Sequence, residues 1–159
     1  NWSRSTTNNR ISDIENENVS FQQGYKAGIS TTVLKALEFN FGYEVSFNNY
    51  TARSTSSKFE NHKPTARLHI NFLKGFRFDT DYEYNTYKNT TNGTKSTYDL
   101  LNAKLSYRKE GSKWEFKTTA MNLLNTTGIR RDSFSESLIS TYEYFIQKRY
   151  FLFSVNYDL

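Results

Sequence analysis

Apolar and polar positions alternate with a period of two along most of this chain. Leu37, Phe39, Phe41, Tyr43, Val45 and Phe47 fall on one parity; Glu38, Asn40, Gly42, Glu44, Ser46 and Asn48 fall on the other. A helix would stack Phe39, Tyr43 and Phe47, but it would also stack Asn40 with Glu44 and scatter Phe41 and Val45. A strand accounts for every position, because successive side chains point to opposite faces. The same pattern predicts strands over 17–31, 64–72, 76–85, 98–109 and 114–120, and a last strand from about Tyr142 to the terminus. Leu73-Lys74-Gly75 and Glu110-Gly111-Ser112 read as tight turns. Residues 51–62, 89–96 (with Asn92-Gly93) and 125–141 read as polar loops. The segment before Arg10 reads as a stub, too short and too polar to pack.

Short connections near 31–36, 73–75 and 110–112 thus alternate with longer ones at 9–17, 51–62, 89–96 and 125–141. The strands reach about 11 to 15 residues, beyond the usual length in sheets that fold in water. Together these predict an all-β, antiparallel, up-and-down transmembrane β-barrel. On this expectation Leu37, Phe39, Phe41, Tyr43, Val45, Phe47, Leu105, Phe116, Phe153, Val155, Tyr157 and Leu159 face lipid. Glu38, Glu44, Arg67, Asp79, Asp81, Lys104 and Lys117 face the lumen. Tyr25, Tyr43, Tyr50, Tyr82, Tyr84, Tyr107, Trp114 and Tyr157 suit interfacial girdles.

Composition supports the strand reading. The chain has 12 Tyr and 13 Phe, yet only 36% of its residues are hydrophobic. It holds no run of about 18 apolar residues, so no transmembrane helix is expected. Cysteine is absent, which excludes a disulfide scaffold and thiolate metal sites. The net charge of +5 comes from basic residues interleaved with acidic ones, not from the patch that tracking a phosphate backbone requires, so no nucleic-acid partner is expected. His62 and His69 are the only histidines, placed in a loop and on the lumen side. Asp79, Asp81 and Glu83 share a face and read as a salt network before a cation site. With no nucleophile elbow or triad order, the chain reads as no enzyme, with no cofactor or metal.

The segment from Leu101 to Ser112, followed by Trp114-Glu115-Phe116, resembles the late strands of the large outer-membrane β-barrel family related to TonB-dependent receptors, of the Bacteroidota type. Asn122-Leu123-Leu124-Asn125 is similar to the Asn-Leu-Phe-Asn signature of that superfamily, with Leu124 in place of Phe. The segments bearing Arg130, Arg131 and Arg149 extend the resemblance, which is good over 97–159 and loose over 17–159. It implies that residues 1–159 are the C-terminal portion of a barrel of about 22 strands, without its plug domain. It further implies a bacterial outer-membrane location and energy-coupled uptake of a bulky solute, or alternatively a structural or assembly subunit of a larger outer-membrane complex. The implied partners are outer-membrane lipid and lipopolysaccharide, the rest of the barrel chain, surface lipoproteins or other envelope subunits, and a TonB-type coupling protein. The last strand, 142–159, is expected to pair with 114–124 on one side and with a strand outside this sequence on the other.

Overall fold

The computed structural model describes residues 1–11, 14–34, 36–52, 55–134 and 139–159. The described residues form ten strands: β1 (Trp2–Ile11), β2 (Ile14–Leu34), β3 (Leu37–Ala52), β4 (Thr55–Phe72), β5 (Phe76–Asn89), β6 (Lys95–Tyr107), β7 (Trp114–Met121), β8 (Gly128–Phe134), β9 (Ile139–Phe145) and β10 (Tyr150–Tyr157). Eight of them make one antiparallel sheet in the order β1-β2-β3-β4-β5-β6-β7-β10, and β8 pairs with β9 in a separate hairpin.

The alternating segments form the strands expected of them, but the polar segments do too. The stub before Arg10 is part of a ten-residue strand, registered with β2 from Trp2↔Gln23 to Ile11↔Ile14. Residues 55–62 belong to β4, which pairs with β3 as far as Ala52↔Thr55. Polar strands can persist there because each is an arm of a hairpin whose apolar half is already in register; ladder hydrogen bonds carry them outward. Pro64 lies inside β4, not at its start. It has no N–H to donate, and the β4–β5 register runs from His62↔Thr86 to Thr65↔Glu83 with no partner at 63 or 64.

The register defines two faces. On one, rungs run Ile29–Phe41–Ala66–Tyr82–Leu101 and Leu37–Ile70–Phe78–Leu105–Thr118–Phe153, with Phe72–Phe76–Tyr107–Phe116–Val155 beyond them. On the other, a rung runs Thr32–Glu38–His69–Asp79–Lys104–Thr119–Leu152, flanked by Ser30–Asn40–Arg67–Asp81–Asn102. The burial is the reverse of a water-facing sheet. Ser57, Phe59, Asn85, Asn89, Tyr98 and Ser106, all less than a tenth exposed, lie on the polar face. Phe59 is the most enclosed, stacked on Tyr87 with ring centroids 5.7 Å apart. Ile29, Phe41, Phe116 and Phe153 on the apolar face stand 70%, 43%, 41% and 66% exposed.

The sheet is open. Among the described residues β1 pairs only with β2 and β10 only with β7, so the two edges do not meet. The expected transmembrane β-barrel is therefore corrected to an open antiparallel sheet, as is its extension to the C-terminal strands of a barrel of about 22 strands. Closure requires the first and last strands to share a ladder, and alternation within strands carries no information about that. The last strand also differs from expectation. Residues 142–145 belong to β9, and β10 pairs with β7 only from Tyr150↔Met121 to Tyr157↔Trp114.

Candidate functional site

The densest polar cluster lies at the centre of the polar face, where β3 to β6 bring ionisable side chains into adjacent rungs. His69 Nδ1 lies 2.6 Å from Asp79 Oδ1, and the amide of Asn71 lies 3.1 Å from His69 Nε2. The other Asp79 oxygen lies 3.3 Å from both Arg77 Nε and Lys104 Nζ. One rung away, Asn102 donates to Asp81 Oδ2 at 2.8 Å, and Asn40 donates to Glu38 Oε1 at 3.0 Å. Glu83 is held by Lys63 at 3.0 Å and by the Tyr98 hydroxyl at 3.3 Å. A shallow concavity of about 570 Å³ lies over Glu38, Asn40, Arg67, His69, Asp79 and Asp81.

Cross-strand pairing explains these contacts. Directly opposed residues sit about 4.5–5.5 Å apart at Cβ, and His69↔Asp79↔Lys104 are directly opposed. Burial pushes the Asp79 carboxyl up, but the His69 hydrogen bond, Lys104 and then Arg77 outweigh it and hold it below its ordinary value. On β7 the hydrogen bond from Lys117 likewise holds Glu115 below its ordinary value, against its partial burial.

A depressed carboxyl stabilises the fold above its unfolded pKa, near 3.9, and that contribution is lost as pH falls through the lower folded value. Asp79→Asn should therefore unfold at lower urea concentration than the parent at pH 6. The gap between the two should close steadily below about pH 4. A gap independent of pH down to acid unfolding would show that the Asp79 charge does not stabilise the fold.

The structure brings together Glu38, Arg67, Asp79, Asp81 and Lys104, while Glu44 and Lys117 lie in other parts of the same face. Glu44 sits between Lys26 and Lys63 in the register, and Lys117 contacts Glu115 at 2.8 Å. Asp79, Asp81 and Glu83 each have basic or amide partners. Among the described residues no group of three His, Asp or Glu is arranged to hold a metal ion. His62 is not in a loop. It lies on β4 on the apolar face, with the Tyr43 hydroxyl 2.6 Å from Nδ1 and the Phe47 ring edge-on.

Leu37, Phe39, Phe41, Tyr43, Val45 and Phe47, with Leu105, Phe116, Phe153, Val155 and Tyr157, share the apolar face. Leu159 lies beyond β10, fully exposed. The set expected to face lipid and the set expected to face the lumen thus lie on opposite faces of the open sheet.

Asn122-Leu123-Leu124-Asn125 forms the turn that leaves β7, with Asn122 and Asn125 at φ values of 52° and 59°. Asn122 Nδ2 donates to the carbonyls of Thr126 and Gln147 at 2.8 and 2.9 Å, and its Oδ1 accepts from the Thr126 amide. Asn125 Oδ1 accepts from the Arg149 amide at 3.2 Å. This hub joins the turn after β7 to the segment entering β10. Its signal in the sequence is the asparagine pair itself, since asparagine tolerates the left-handed region. Arg130 and Arg131 lie on β8, and their side chains fall outside the described residues.

Comparison with protein-family models, with curated proteins and with solved structures found no match. Among the described residues no helix is long and apolar enough to cross a membrane, which says nothing of crossing by strands. The receptor-family resemblance therefore has no support from the comparisons. The uptake function, its outer-membrane assembly alternative and the outer-membrane location all presupposed a barrel. So did the partner set of lipid and lipopolysaccharide, further barrel chain, surface lipoproteins and a TonB-type protein. The open sheet removes that ground, and these expectations are withdrawn.

Proposed function

We propose that the chain is a non-catalytic assembly module, a β-sheet whose apolar face is covered by another protein surface. One observation carries this reading: the apolar rungs cross the sheet from β2 to β10 with no second layer on them among the described residues, while the enclosed side chains sit on the polar face. Antiparallel sheets commonly leave one face to solvent, but that face is ordinarily the polar one. Seven strands about 4.8 Å apart, with apolar rungs over roughly 20–25 Å, present an area on the order of 750 Å². A standard protein interface buries about 800 Å² on each partner. The ion-paired polar face supports the non-catalytic part of the reading, since its carboxylates are occupied by Lys, Arg, His and Asn.

Phe41 lies on this face, flanked by Ile29 and Ala66. Phe41→Lys should weaken assembly of the purified chain by about tenfold or more, because a lysine within an apolar contact must be desolvated without a partner. Asn40→Lys, its neighbour on the opposite face, should leave assembly unchanged. Sedimentation velocity over a concentration series reads both, with circular dichroism confirming the strands. Equal behaviour of the two variants would overturn the reading.

A further inference from the structure

The edge strand β10 differs from ordinary sheet edges. Among the described residues its outer side has no strand beside it. Proteins usually protect such an edge with lysine, proline, a bulge or an inward charge, because unpaired backbone groups recruit another strand. From Tyr150 to Tyr157 β10 contains no charged residue, no proline and no glycine. Phe151, Leu152, Phe153, Val155 and Tyr157 are all between 47% and 67% exposed. The opposite edge, β1, carries Arg4. The β8–β9 hairpin, inserted in the chain between β7 and β10, pairs only with itself.

The sequence of β10 is also self-complementary in antiparallel register. A two-fold axis normal to the sheet reverses strand direction and keeps each face on its own side. Residues of like parity must then oppose one another, which leaves Phe153 or Ser154 on the axis. With Ser154 there, Phe153 opposes Val155 and Phe151 opposes Tyr157 twice over on the apolar face, while Leu152 opposes Asn156 on the other. Aromatic–aromatic and aromatic–β-branched pairs are the favourable cross-strand pairs. With Phe153 on the axis, Tyr157 would oppose Arg149, which lies outside the strand, and one aromatic rung would be lost.

We propose that β10 pairs antiparallel with β10 of a second copy of this chain about a two-fold axis through Ser154, joining two eight-stranded sheets into one with a continuous apolar face. The proposal rests on the assembly-module reading and names its partner at this edge. An isologous contact of this kind closes on itself and gives a dimer without running on into a fibre.

The chain has no cysteine, so a single introduced thiol reports one distance. In this register the two Ser154 Cα atoms lie about 4.5–5.5 Å apart, within the range a disulfide spans. Position 151 is six residues from its own copy, roughly 20 Å. With oxidised glutathione, Ser154→Cys should shift on a non-reducing gel from the 18.7 kDa monomer to a band of twice that mass. Phe151→Cys should stay monomeric. Absence of the Ser154→Cys dimer, or equal cross-linking at the two positions, would overturn the pairing. Assembly that remains sensitive to Phe41→Lys while Ser154→Cys fails to cross-link would sink the edge pairing alone. Cross-linking at 154 with assembly indifferent to Phe41→Lys would sink the covered-face reading alone.

Discussion

Asn122→Ala should destabilise the fold by about 4 kcal/mol, roughly 1 kcal/mol for each of three lost part-buried hydrogen bonds and about 1 kcal/mol for alanine in a left-handed backbone. Asn122 is only 4% exposed, and its amide serves three backbone groups: the Thr126 carbonyl, the Gln147 carbonyl and the Thr126 N–H. Alanine leaves all three without that partner. It also meets a φ of 52°, which costs a Cβ-bearing residue about 1–2 kcal/mol where asparagine is more tolerant. Asn122→Gly removes the same hydrogen bonds without that conformational cost, so it should be the milder change by about 1 kcal/mol. Urea unfolding of the three proteins checks both the size and the order. An alanine variant within 0.5 kcal/mol of the parent, the ordinary scatter of surface substitutions, would mean that the hub does not hold the turn.

Asn122 also marks where the sequence stops being legible. The strands whose alternation is strict, β3 and β5 to β7, could be read with their faces, because a period of two needs only neighbouring positions. The turns at Gly75 and Gly111 could be read for a similarly local reason: both glycines have positive φ, at 94° and 73°. β1 and the first half of β4 could not. Thr6-Thr7-Asn8-Asn9 and Ser56-Ser57-Lys58 are polar on both parities, and their strand state comes from the hairpin partner across the ladder. β8 and the start of β9 lie in a stretch expected to be a loop, while residues 142–145 of β9 were expected to belong to the last strand.

The polar cluster was partly legible, since Asp79, Asp81, Lys104 and Arg67 fall on one parity. Their pairing was not, because it depends on which residues of separate strands share a rung. His69↔Asp79↔Lys104 is a fact of register across three strands. Closure lies further still from local pattern. Strand length, aromatic content and loop rhythm suggested a barrel, and none of them reports whether β1 reaches β10.

Gly75→Ala should cost about 3 kcal/mol or more, and Gly93→Ala only about 1 kcal/mol, though both glycines sit in hairpin turns with positive φ, 94° and 75°. What separates them is the space each Cβ would meet. At Gly93 nothing lies within 4 Å, so alanine there pays for the left-handed backbone alone. At Gly75 a Cβ would fall 2.1 Å from the Arg108 carbonyl oxygen and 3.0 Å from its carbon. Both are backbone atoms and cannot rotate away. The approach is close because the Gly75 carbonyl accepts the Arg108 amide at 2.9 Å, carrying the β5–β6 ladder one rung past Phe76↔Tyr107. Relieving the clash means giving up that rung and shifting the turn, which would disturb the stack of Phe76 on Phe72 and Tyr107. Paired urea titrations of the two alanine variants give the difference directly. That difference isolates the steric part, since the backbone penalty is common to both. Equal losses would show that the β4–β5 turn does not bring Gly75 against Arg108 in solution.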